Sequence, residues 1–169
     1  MTLIRNGRSW VAPLVVLCAV GFGAREAAAA ILVRCTASAS GINFGVYDPF
    51  AGSGLSTTGS LAVNCTGQGT GRTQVTVTVS LSPGSSANYG TRTMGSPSGP
   101  LDYNIYWDPQ HTVVMGDGTG GSYYGTAGPI QIGDGGSVTA TGTMYGYVPP
   151  NQNVSPGSYL DVIVVTVTY

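Results

Sequence analysis

An all-β fold, a sandwich or barrel of short antiparallel strands, is what this sequence predicts, and three observations predict it. Apolar residues alternate with Ser, Thr, Gln and Asn at a period of two along several stretches, which is the pattern of strands with one buried face. Clusters of Gly, Asn and Pro separate those stretches and supply turns. No segment of useful length carries the 3.6-residue apolar spacing of an amphipathic helix. Short strands spaced in this way suit two packed sheets or one sheet closed on itself.

The first thirty residues stand apart from the pattern. Arg5 and Arg8 precede an apolar run, residues 11–22, and small residues follow at 27–30; this is the order of a cleaved secretory signal. The run contains Pro13 and falls short of the about 20 apolar residues that cross a bilayer. Cys18 lies inside it behind Leu17, unlike the cysteine of a lipoprotein signal. The expected organisation is a signal over residues 1–30 and one β domain over residues 31–169, with no membrane span in the mature chain. About 140 residues are one domain's worth of core.

Cleavage would leave Cys35 and Cys65 as the only cysteines. In an exported chain such a pair reads first as a disulfide. The rival, a structural metal site, needs more ligands than two cysteines and the single His111 supply. His111 follows the turn-like pair Asp108-Pro109, so a loop position is expected for it. No metal or cofactor is predicted.

Taken in chain order, residues 60–65 place Leu61 and Val63 on one face with Cys65, which aims the cysteine at the core and at a bridge between strands. Residues 73–81 set Val75, Val77, Val79 and Leu81 against Gln74, Thr76, Thr78 and Ser80. Leu101, Tyr103, Ile105 and Trp107 form a further alternating face that stops at Asp108-Pro109. Residues 138–148 read as a strand in which Gly142 and Gly146 predict bends or bulges. Residues 159–169 are apolar on both faces, with Val162 and Val164 opposite Ile163, Val165 and Val167. A strand of that kind is expected to be central or deeply covered. Yet it ends the sequence, and no later strand is available to cover its far edge.

Charge excludes one class of partner. Beyond residue 30 the cations are Arg34, Arg72 and Arg92, with no lysine or glutamate, against aspartates at 48, 102, 108, 117, 134 and 161. Such a surface does not attract phosphate backbones, so nucleic-acid binding is not expected. Enzymatic activity is not expected either. No G-x-S-x-G elbow accompanies His111, and no helix is predicted to carry one. A carboxylate pair of the glycosidase kind could only come from the aspartates. Asp48 and Asp108 precede proline, and Asp117 and Asp134 precede glycine; these are positions at which Asp side chains build turns. The glycine-aspartate segments at 116–121 and 133–136 lack the fixed nine-residue period of tandem calcium-binding repeats.

Three ordered stretches carry a family resemblance: Asn43-Phe44-Gly45-Val46-Tyr47-Asp48-Pro49, residues 101–121, and residues 145–169. Together they resemble the spore coat protein U family over nearly all of residues 35–169. That family is similar to the subunits of archaic chaperone-usher pili. The resemblance implies an immunoglobulin-like antiparallel sandwich that lacks its last strand. A periplasmic chaperone would lend the missing strand in transit through an outer-membrane usher, and another pilus subunit would then supply it on the cell surface from its own N-terminal extension. Val162, Ile163, Val164, Val165, Val167 and Tyr169 are the candidate walls of the acceptor groove. An unpaired edge beside an apolar groove is a hazard in a monomer and a suitable joint in a polymer built by strand addition.

One departure from the polymerising subunits bears on position in the fibre. Only Ile31, Leu32, Val33 and Arg34 lie between the predicted cleavage point and Cys35. Four extended residues reach about 14 Å, less than a strand of usual length needs. The expectation is a subunit that accepts a strand without donating one, as at a fibre tip with a role in adhesion or biofilm. The alternatives are a structural protein of a spore coat or surface matrix, and a carbohydrate-binding module using Tyr123, Tyr124, Tyr145 and Tyr147.

Overall fold

Alternation at a period of two builds eight strands in residues 30–169, the part of the chain that this computed structural model describes. They are β1 (Leu32–Ala39), β2 (Leu55–Gln68), β3 (Arg72–Leu81), β4 (Arg92–Met94), β5 (Leu101–Tyr106), β6 (Gly125–Gly133), β7 (Ser137–Val148) and β8 (Val165–Thr168), with a 3-10 turn at Gly84–Ser86. The expected signal segment, apart from Ala30, lies outside the described residues. The strands form two antiparallel sheets, ordered β1-β2-β7-β5-β4 and β6-β3-β8. Between them pack Leu61 and Val63 of β2, Met144 and Val148 of β7, and the inward side chains of β5, against Val75 to Leu81 of β3 and Ile132 of β6. The predicted all-β sandwich is therefore the observed fold.

Cys35 and Cys65 sit directly opposite one another in the β1–β2 register and are bonded, with an S–S distance of 2.04 Å. The sequence separation is 30 residues, for which loop-closure entropy gives about 3–4 kcal/mol. Replacing both cysteines by serine is expected to lower unfolding stability by that amount in a urea titration, and the untreated protein should show a mass two hydrogens below the reduced one. A loss under about 1 kcal/mol would show that the bridge does little to restrict the denatured chain.

Two glycines serve a purpose other than the one their sequence context predicts. The β2–β7 register runs unbroken from Leu55↔Val148 to Thr66↔Ser137, so Gly142 and Gly146 neither bend nor bulge the strand. They make room on its inner face: a Cβ at Gly146 would lie 2.7 Å from Ile42 and 2.8 Å from Phe44, and Trp107 covers Gly142. The bulge lies instead between β3 and β6, at Val75/Val77. Gly128 sits there with φ 126°, and a Cβ would meet the Val75 carbonyl oxygen at 2.7 Å. β6 itself escapes sequence reading because its glycines and Pro129 suppress strand propensity; an edge strand tolerates them.

The C-terminal stretch departs most from expectation. Its regular strand is only Val165–Thr168, and it lies at the edge of the three-stranded sheet, paired with β3 alone. Val162 and Val164 are 72% and 59% exposed. A run that is apolar on both faces is neither central nor covered here, because among the described residues no strand follows it on that edge.

Candidate functional site

The free edge of β8 is one side of an open flank, and two irregular segments wall it. After β1 the chain leaves its sheet and residues 40–46 run along the flank, turning Ile42 and Phe44 inward and Asn43 and Gly45 outward. Ile42 packs against Gly59 and Gly146, and Phe44 meets Tyr103 edge-on at 5.9 Å between ring centroids. On the other side residues 159–164 run ahead of β8. Leu160 exchanges two backbone hydrogen bonds with Gly95, at 2.8 and 3.0 Å. Val164 accepts from the Ser82 amide and donates to the Ser82 hydroxyl.

Between these walls lies an apolar cleft in two continuous parts, of 330 and 230 Å³. Leu81, Met94, Tyr103, Ile105 and Met144 floor the larger part, with Ile163 and Val165 in its wall. Leu55, Leu101 and Val148 floor the smaller. The backbone N–H and C=O groups of residues 41–44, and of Ile163, have no hydrogen-bond partner among the described residues. Backbone polar groups need partners when they are covered. A cleft with an apolar floor and unpaired main chain along both walls therefore suits an extended peptide, which offers apolar side chains downward and main-chain groups sideways. At 3.3 Å per residue, walls of six or seven residues match a strand of roughly 20 Å.

Of the candidate groove residues, Ile163 and Val165 face the cleft, and Val167 continues their half-buried row. Val162 and Val164 point the other way, and Tyr169 is exposed at the chain end. Sequence reading did not assign the opposite wall or the floor. The inward pair Ile42 and Phe44 was legible as alternation in Ile42-Asn43-Phe44-Gly45-Val46, but the stretch is too short and glycine-bound to stand out.

Polar groups fix the geometry of the tail wall. The Asp161 carboxylate accepts from the Tyr103 hydroxyl at 2.6 Å and from the Ser85 and Val162 amides at 3.0 and 2.8 Å. Burial, then the hydrogen bond to Asp161, pushes the Tyr103 phenol far above its ordinary range, so it remains a donor. Behind it Arg92 is wholly buried. Its guanidinium donates to the carbonyls of Ser82 and Met115 and to Asn104 Oδ1, and lies 5.2 Å from the Tyr89 ring centroid. Burial lowers its pKa, but an arginine starts too high to lose its proton. This network ties β4, β5 and the segment after β3 into one block, on which the tail rests.

The remaining candidates do not join the cleft. Asp48, Asp108, Asp117 and Asp134 accept backbone amides in turns. At Asp108 slight burial is outweighed by the Val113 and Thr112 amides and the Thr112 hydroxyl, which hold its carboxyl below the usual value. That turn swings His111 onto Tyr147, with centroids 4.7 Å apart and planes 20° from parallel. The Tyr147 face is thereby taken, while Tyr123 and Tyr124 are exposed ahead of β6.

The model of the Spore Coat Protein U domain matches residues 22–166. The chain belongs to the spore coat protein U family. Protein U of Myxococcus xanthus is a family relative in sequence, 34% identical over 139 residues that cover 76% of this chain and 71% of that protein. In three dimensions this family member is similar to a chain in the crystal structure of the CsuC-CsuE chaperone-tip adhesion subunit pre-assembly complex from archaic chaperone-usher Csu pili of Acinetobacter baumannii. The TM-score is 0.55 at 19% identity, over 82% of this chain and 40% of that one. At that identity the likeness is one of fold.

Proposed function

We propose that this protein is an exported structural subunit of a chaperone-usher surface fibre, and that its open flank accepts a strand from a partner. The observation that carries this reading is the apolar cleft between the unpaired main chain of residues 41–44 and the open edge formed by Ile163 and β8. Family membership and a fold shared with a chain of a chaperone–subunit complex support it. In transit the strand would come from a periplasmic chaperone, and after passage through the outer-membrane usher from another pilus subunit. The protein acts by assembly and carries out no reaction. Residues 1–30 serve as the export signal, and residues 31–169 are the working domain.

The terminal position in the fibre also belongs to this proposal. Leu32, Val33 and Arg34 pair with Gln68, Gly67 and Thr66 inside the protein's own sheet. If cleavage falls at residue 30, these residues are committed to β1 and do not reach into a neighbour. A subunit that only accepts a strand fits the tip, where a role in adhesion or biofilm follows.

Periplasmic expression tests the reading. Alone, the subunit is expected to be degraded or to aggregate, because the cleft and the β8 edge are exposed. Co-expressed with its chaperone it should be recovered as a soluble one-to-one complex. A monodisperse monomer that unfolds cooperatively without any partner would overturn it.

A further inference from the structure

The two walls of the cleft run in opposite directions. Residues 39–47 run from β1 toward the end of the sandwich where Leu55 pairs with Val148 and Tyr47 meets the 149–152 loop. Residues 159–168 run from that end toward the other, where Thr168 pairs with Thr78 and Leu32 with Gln68. An inserted strand is therefore antiparallel to one wall and parallel to the other. Antiparallel pairing to β8 extends a sheet whose existing pairs are all antiparallel, and it is the slightly more stable ladder. A donor strand so placed emerges with its C-terminal end beside Tyr47 and Tyr159.

That end carries the most exposed large apolar groups among the described residues. Phe50 is 91% and Val46 78% exposed. Between Phe50 and residues 151–156 lies a cleft of 310 Å³, with Pro49, Val154 and Pro156 in its lining. The patch is rigidly mounted. Asp48 accepts the Phe50 and Ala51 amides; the Tyr47 hydroxyl donates to the Pro149 carbonyl and accepts the Gln152 amide; and Gln152 brackets Asp102 through two hydrogen bonds of 2.7 and 2.9 Å. An apolar group held out on a fixed turn, beside the mouth of a groove, marks a contact surface.

We propose that the apolar end formed by Val46, Pro49, Phe50, Val154 and Pro156 seats the folded body of the subunit whose strand fills the cleft. This rests on the strand-accepting reading above and adds a second contact to it. The strand supplies most of the hold, and the Phe50 end fixes the angle at which the two subunits meet.

The test places a photo-crosslinking amino acid at position 50, 163 or 169, one at a time, in the full chain assembled on the cell surface, and maps each adduct by mass spectrometry. The expected result is that positions 163 and 50 capture the same protein, at its N-terminal extension and at residues C-terminal to that extension respectively, while position 169 captures no body residue. An adduct at 163 with none at 50, or body residues captured from 169, overturns the orientation and leaves strand acceptance standing. No adduct at 163 removes the strand-accepting reading and this proposal with it. Phe50→Ser should weaken the full-length donor about tenfold, an ordinary cost for losing a buried aromatic anchor, and should leave the affinity for a free donor peptide unchanged. Equal affinity of wild type and variant for the full-length donor would also overturn the proposal.

Discussion

Ile163→Asp is expected to abolish strand acceptance while Val164→Asp preserves it. The two positions are adjacent in sequence and opposite in environment: Ile163 lines the cleft, whereas Val164 is 59% exposed on the outer face. In the empty subunit an aspartate at 163 keeps contact with water through the open flank, so the sandwich itself is spared. Once a strand closes the cleft, that carboxylate is desolvated without a counter-charge, beside the existing Asp161. Burial of this kind shifts a carboxyl pKa by up to 3–5 units, on the order of 4 kcal/mol, and at 1.4 kcal/mol per decade this is about a thousandfold in affinity. The measurement is recovery of chaperone-bound subunit on co-expression, followed by uptake of a donor peptide by the purified complex. Loss with both variants, or tolerance of both, would remove Ile163 from the acceptor wall.

Arg92→Ala is expected to cost about 3–5 kcal/mol, from buried carbonyls left unpaired at about 1–3 kcal/mol each and from the lost packing of the side-chain stem, and thus a large share of the 5–15 kcal/mol that holds a typical domain. The guanidinium satisfies the Ser82 and Met115 carbonyls and Asn104 Oδ1 at once. Alanine leaves the Ser82 and Met115 carbonyls unpaired inside the protein, each at a desolvation cost, while Asn104 Oδ1 keeps the Ile105 amide. Arg92→Lys should recover little, because one ammonium on a flexible stem does not reproduce the planar fork. The check is a urea titration of the subunit completed by a covalently fused donor strand, so that folding is measured apart from strand acceptance. A lysine variant within 1 kcal/mol of wild type would show that charge alone, and not the fork, holds β4 to β5.

The fold class was legible because a period of two is a local property. Residues 73–81 and 138–148 alternate cleanly, and they became β3 and β7 within a residue of those limits. The disulfide was legible for a similar reason, since two cysteines in an exported chain leave few options and Cys65 already lay on an apolar face. β1, β4 and β6 were less visible. β4 is only three residues long, and β6 carries the glycines and proline that an edge position permits.

By itself, then, the sequence determined an all-β sandwich, a cysteine pair directed at the core, turn-building aspartates and a C-terminal run too apolar for a free surface. Only the tertiary structure decided which face of that run looks into the cleft, that β8 is an edge strand, and that Ile42, Phe44 and the floor around Met144 complete the site. The physical reason is that alternation divides residues between two faces without saying what lies over either one. The cleft is made of segments more than a hundred residues apart, brought together by sheet order, and the unpaired backbone along its walls depends on which strands are absent beside them.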